Sequence, residues 1–98
     1  MNVHDFFFTP KAVETFQGIV MNMQEVSLIA AERVRSQIMH RIHLIHQHPM
    51  QSSKKIDLKG VNGHFRVAEV LNFRLYYQVD DASIVLMDIL MDKELSKV

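Results

Sequence analysis

Residues 58–94, LKGVNGHFRVAEVLNFRLYYQVDDASIVLMDILMDKE, decide how this chain folds. They read as three strands joined by tight turns. Asn62-Gly63 is a hairpin-type turn signal ahead of the first strand. Across 64–71 the side chains alternate, with Phe65, Val67, Glu69 and Leu71 on one side and Arg66, Ala68 and Val70 on the other. A tight turn near Asn72 leads into the second strand. There Phe73, Leu75, Tyr77 and Val79 face one way, and Arg74, Tyr76 and Gln78 face the other. This parity assigns Tyr77 to the core and Tyr76 to the surface. Asp80-Asp81 makes the next turn, and 83–91 is nearly all apolar, as expected of a central strand covered on both faces.

Upstream, the chain reads as elements built to cover that sheet. Residues 3–8 are short, apolar and aromatic, and they predict a strand buried on at least one face. Thr9 suits a helix N-cap and Pro10 the first helical position, where its missing N–H has no partner to lose. The helix that follows places Val13, Phe16, Val20 and Met23 on one face with Ile19 beside them. Gly18 and the polar stretch 22–25 weaken its end. Ser27 is the next cap. Beyond it Leu28, Ala31, Val34, Ile38, Ile42 and Ile45 recur in steps of three and four, the pattern of a helix face against a core. Glu32, Arg33, Gln37, Arg41 and Gln47 take the opposite face. Pro49 stops this helix, because the residue before a proline is pushed out of the helical region.

The two helices form an antiparallel hairpin. Residues 50–55 are a polar link, and the tail 92–98 is polar and frayed. The element order is therefore β-α-α-β-β-β. The fold class is α+β, with a helical hairpin packed on one face of a small, mainly antiparallel sheet, in a single domain over 1–98. The other sheet face is left partly open, and a partner is expected there.

Composition narrows the function. A 98-residue chain with 48% hydrophobic residues supports one modest core. Eleven basic and eleven acidic residues balance, which counts against a strong nucleic-acid footprint. With no Cys there is no disulfide, no thiolate nucleophile and no sulfur metal site. The N-terminus lacks the basic-then-apolar pattern of a signal peptide, and no apolar run approaches the ~20 residues of a membrane span. A cytoplasmic protein without membrane contact fits these features.

The assembled segments resemble the RelE/ParE superfamily of toxin–antitoxin toxins. The resemblance rests on TPKA opening the first helix, AERVRSQIMHRIHLIHQHP as the second, LKG before the strands, FRV, and NFRLYYQVDD followed by SIVLMDIL. It covers nearly the whole chain, and the long helical hairpin resembles ParE-like members more than RelE-like ones. What it implies is the growth-inhibiting toxin of a type II, plasmid stabilisation-type system. Such a toxin is neutralised by a cognate antitoxin, and it meets operator DNA only through that antitoxin. RelE-like members cleave messenger RNA on the ribosome, whereas ParE-like members inhibit DNA gyrase.

The resemblance to nuclease members also implies site residues. Arg66 matches their first basic position, and Arg74 matches the strand arginine that grips phosphate. Ala68 stands where a second basic group is usual. In the terminal MDKELS, Lys93 is a substitute cation, and Ser96 or nothing occupies the tyrosine position. Cleavage through a 2′-hydroxyl needs a proton acceptor and a proton donor besides cations. Arginine is a poor proton carrier, which leaves His64 as the remaining candidate.

Three functions are thus open: a gyrase-binding toxin, a ribosome-dependent ribonuclease using Arg66, Arg74 and Lys93, and a module that only binds antitoxin. For partner binding the candidates are Arg66, Arg74, Tyr76, Met87 and Met91, with both arginines expected on one sheet face and the two methionines along an antitoxin groove. No cofactor is implied. His40, His43, His46 and His48 are expected to be solvated on the outer helix face rather than to bind zinc. Met21, Met23 and Met39 are expected to fill core gaps.

Overall fold

The computed structural model describes residues 4–51, 53–56 and 64–91. The Asn62-Gly63 turn, the LKG segment, Lys93 and Ser96 lie outside the described residues. The chain runs β1 (Asp5–Phe8), α1 (Pro10–Val26), α2 (Leu28–Gln47), β2 (Lys54–Ile56), β3 (His64–Val70), β4 (Phe73–Val79) and β5 (Ser83–Met91). The strands form one sheet in the order β1-β5-β4-β3-β2. Its pairings are antiparallel except at the edge, where β1 runs parallel to β5. The expected α+β architecture is therefore present, with one strand more than the sequence suggested. β2 lies within what reads as a polar link, and it pairs Lys54 with Val67 and Ile56 with Phe65.

Each helix starts where a side-chain oxygen can satisfy a backbone N–H left without a helical partner. The Thr9 hydroxyl accepts from the Ala12 N–H at 3.0 Å and donates to the Met87 carbonyl at 2.8 Å. It therefore joins the start of α1 to β5. Ser27 closes both helices: its N–H donates to the Met23 carbonyl and its hydroxyl accepts from the Ala30 N–H. A single residue thus separates α1 from α2. α1 persists to Val26 despite Gly18 and the polar stretch before its end.

The core lies between the helices and one face of the sheet. α2 contributes Val34, Ile38, Ile42 and Ile45, and the strands contribute Ala68, Phe73, Leu75, Tyr77, Val79, Ile84, Leu86 and Ile89. From α1 the buried residue is Ala12, with Phe16, Ile19 and Met23 packed beside it. Phe16, Ile19 and Met23 thus face inward as expected, whereas at the start of the helix the buried position is Ala12 and Val13 is exposed. The small Ala12 side chain lets the helix start approach the sheet closely. Leu28 is likewise exposed, as are Met21 and Met39, so Met23 is the one of those three methionines that packs on the core.

β5 is not covered on both faces. Ile84, Leu86 and Ile89 are buried, whereas Leu90 and Met91 are exposed. Leu71 is not part of β3: it forms a two-residue turn with Asn72 and has φ 54°, in the left-handed region.

A candidate partner-binding face

Strand register sorts the candidate residues between the two sheet faces. Residues paired directly across antiparallel strands share a face. Arg66 pairs with Tyr77, Ala68 with Leu75 and Val70 with Phe73, which puts Arg66 on the helix-covered side. Arg74 pairs with Glu69 and Tyr76 with Val67, on the open side. The expectation that Arg66 and Arg74 share a face is therefore wrong. The sheet lies between them.

Arg66 is spent on the fold. Its Nε donates to the Ser53 hydroxyl at 2.7 Å, and its Nη2 donates to the carbonyls of Ser53 at 2.8 Å and Met50 at 3.0 Å. The buried Tyr77 hydroxyl donates to the Pro49 carbonyl at 2.7 Å and also contacts the Ser53 hydroxyl. Together the two side chains fasten the connection from α2 to β2. His64 pairs with Val79, on the same side as Arg66, so it is not on the face that carries Arg74. Of the described groups considered for RNA cleavage, Arg74 is thus separated by the sheet from Arg66 and His64.

The open face is built in rows. One row crosses from Glu69 through Arg74 to Leu90, and the next from Lys54 through Val67 to Tyr76. A third runs from Ile56 through Phe65, Gln78 and Val85 to Phe7. Arg74, Tyr76 and Gln78 are half-buried, so each presents part of a side chain that its neighbours already hold in place. The Nε of Arg74 is buried. Phe65 is buried on this face, outside the main core cluster. Glu69, Gln78, Val85 and Leu90 belong to the surface although the sequence did not single them out. Their signal is the Leu71-Asn72 turn, which fixes which residue faces which.

At β5 the register shifts, with Tyr76 opposite Asp88 and Tyr77 opposite Leu86, so that Met87 is an extra residue on that strand. Such a bulge bends the strand and re-aims its side chains. It coincides with the passage from β1 to α1, where Thr9 donates to the Met87 carbonyl. The carboxylate of Asp88 accepts from the Thr15 hydroxyl at 3.1 Å. Met87 is half-buried beside this junction and Met91 is exposed at the end of β5.

The histidines divide. His40, His43 and His48 are exposed, as expected. His46 is instead half-buried: its Nε2 donates to the His4 carbonyl at 2.8 Å and its ring meets Phe6 edge-on. No group of three or more His, Asp or Glu among the described residues is placed to hold a metal ion. Among the described residues no helix is long and apolar enough to cross a membrane.

Comparison with known proteins decides the family. The sequence profile of the ParE toxin of the type II toxin–antitoxin system parDE matches residues 6–95. The chain belongs to the ParE toxin family. Solved structures show the same fold across the RelE/ParE group at low identity. The chromosomal ParDE system from P. aeruginosa contains a chain 19% identical, with a TM-score of 0.69, covering 93% of this chain and 98% of its own. The archaeal RelE–RelB complex from Pyrococcus horikoshii OT3 gives a TM-score of 0.69 at 11% identity, with 92% and 96% covered. RelBE2 from Mycobacterium tuberculosis gives 0.67 at 14% identity, with 90% and 96% covered. No curated protein sequence matches the chain. By family it is therefore a ParE-type toxin of a type II toxin–antitoxin system, with a fold shared by RelE-type chains.

Proposed function

We propose that this ParE-family chain acts in the cytoplasm by binding a large enzyme, DNA gyrase, through the open sheet face, and that a cognate antitoxin neutralises it. The observation that carries the reading is the separation of Arg66 from Arg74. A phosphate clamp needs its cations on one side of the substrate, and here Arg66 is committed to holding the α2–β2 connection while Arg74 sits across from Glu69. The rows around Tyr76 combine an aromatic ring, aliphatic neighbours and one Arg–Glu pair, a composition suited to protein contact. The antitoxin partner is supported by the related ParDE and RelE–RelB systems. Tyr76 and Arg74 on the open face of β4, together with Met87 at the β5 bulge and Met91 exposed at the end of β5, are the contacts we assign to partner binding.

The test is a supercoiling assay with the purified full chain. Inhibition is expected, with loss of about tenfold or more in Tyr76→Ala and Arg74→Glu at unchanged melting temperature. Full gyrase activity at saturating chain rejects the proposal. Cleaved transcripts at stalled ribosomes, with gyrase unaffected, assign the ribosome-dependent nuclease activity instead. Absence of a growth defect on induction leaves an antitoxin-binding module.

A further inference from the structure

β2 is shorter than the strand it pairs with. Its ladder with β3 runs from Ile56 opposite Phe65 to Lys54 opposite Val67 and stops there, whereas β3 continues to Val70 against β4. The two-residue turn at Leu71-Asn72 makes Val70 and Phe73 a pair that exchanges both backbone hydrogen bonds. Such pairs alternate along a strand, so Val70, Ala68 and Arg66 turn their backbone groups to β4. Those of Val67 and Glu69 point the other way. Lys54 meets Val67, and beyond it the edge has no strand partner among the described residues. The outward N–H and C=O of Glu69 thus open an unfilled position of the ladder.

A recess of about 280 Å³ lies at that position, between α2, the start of β2 and β3. Ser53, Lys54, Val67, Ala68 and Glu69 line it, with Arg41 from α2. Arg41 is half-buried and its Nε is out of contact with water, so its stem is held in the wall. Lys54 is exposed. The Ser53 hydroxyl is already engaged by Arg66 and Tyr77. The Glu69 side chain belongs to the open face, where Arg74 stands opposite it and offsets its charge. The recess therefore joins a backbone donor and acceptor to two cations.

From these features we infer that the recess binds the C-terminal end of an extended segment of a protein partner, laid against Glu69 in line with β2. Two observations choose the occupant. β2 fills the next position along the edge, so an added segment cannot continue along it past Lys54, and its chain end falls there. The cations then select which end. A terminal carboxylate is attracted by Lys54 and Arg41 and accepts charge-assisted hydrogen bonds, whereas a terminal ammonium is repelled. With its carboxylate at Lys54 the segment runs in the direction of β2, antiparallel to β3. Main-chain hydrogen bonds supply the affinity and the carboxylate supplies the selection. A phosphate group would use the cations and leave the strand edge unpaired. This site is independent of the gyrase reading and holds whichever target the open face binds.

An array of short random peptides tests it, each anchored through its N-terminus and probed with the purified full chain. Sequences retained with a free carboxyl end are then titrated in solution. Submillimolar binding is expected, at least about tenfold weaker once the carboxylate is amidated. Lys54→Gln weakens it several-fold at unchanged melting temperature, because that side chain is exposed. N-methylation of the peptide amide that faces the Glu69 carbonyl abolishes binding, and N-methylation of the next amide, which faces away, does not. No peptide bound at about 1 mM overturns the inference. So does equal binding of acid and amide, or indifference to both Lys54→Gln and Arg41→Gln. Inorganic phosphate that binds as tightly as the peptides makes the recess a simple anion site and also overturns it. Gyrase is absent from every arm, so failure here is distinct from failure of the gyrase reading.

Discussion

Leu71 occupies a backbone conformation that costs an L-residue with a large side chain on the order of 1–2 kcal/mol, because Cβ crowds the neighbouring carbonyl. Asparagine tolerates the left-handed region through local hydrogen bonding. Leu71→Asn is expected to raise the melting temperature by a few degrees, about the effect of 1 kcal/mol in a domain of this size. Leu71→Ala is the control, since it loses the same side-chain contacts without relieving the backbone. If the alanine variant melts at or above the asparagine one, strain is not the cause. Asp80 makes a second prediction. Its carboxylate accepts from the N–H groups of Ala82 (2.9 Å) and Ser83 (2.7 Å) and from the Ser83 hydroxyl, which lowers its pKa. A folded-state pKa below the unfolded value of about 3.9 stabilises the protein at pH values above that range. The contribution is lost as the pH falls through the folded value. Thermal melts of wild type and Asp80→Asn should therefore differ most near neutral pH and converge in strong acid. A gap that stays constant with pH refutes the linkage.

At the scale of elements, α1 carries a removable weakness. Gly18 sits inside the helix, and a Cβ built there meets nothing within 4 Å. Gly18→Ala should stabilise the protein by about 0.5–1 kcal/mol, by restricting the unfolded chain and improving helix propensity. Chemical denaturation with an unchanged m-value checks this, and a lower midpoint contradicts it. The helices are also where the sequence was most legible. Thr9 and Ser27 announce their caps because a hydroxyl is needed where the first N–H groups lack helical partners. The stripe from Ala31 to Ile45 repeats without interruption, and all five expected positions after Leu28 are buried. On α1 the expectation holds at Phe16, Ile19 and Met23 and fails at Val13, because the neighbouring Ala12, the most buried residue of the helix, carries too little side chain to register as apolar. β2 was not legible: Lys54-Lys55-Ile56 is short and charged, and it becomes a strand only through pairing with residues far along the chain.

For the whole molecule, the legible part was the layering of helices on sheet, and the illegible part was the register that assigns side chains to faces. Alternation within each strand gave the right partition of β4, with Phe73, Leu75, Tyr77 and Val79 all buried. It could not say how β3 lies against β4. That depends on which two residues make the turn, and a leucine in the left-handed region is not one that turn chemistry would nominate. Moving the turn by one residue exchanges the faces of a whole strand. This is why Arg66 and Arg74 look like one site in the sequence and are two in the structure. Genetics inherits that ambiguity. Selection for cells that survive induction of the chain will return Arg66 substitutions beside Arg74 substitutions, for unrelated reasons. The first group loosens the anchorage of Met50 and Ser53 and yields less folded protein; the second leaves a folded protein with an altered face. Growth alone scores the two alike. Soluble yield and antitoxin capture separate them, and only survivors that remain folded map the surface by which the toxin acts.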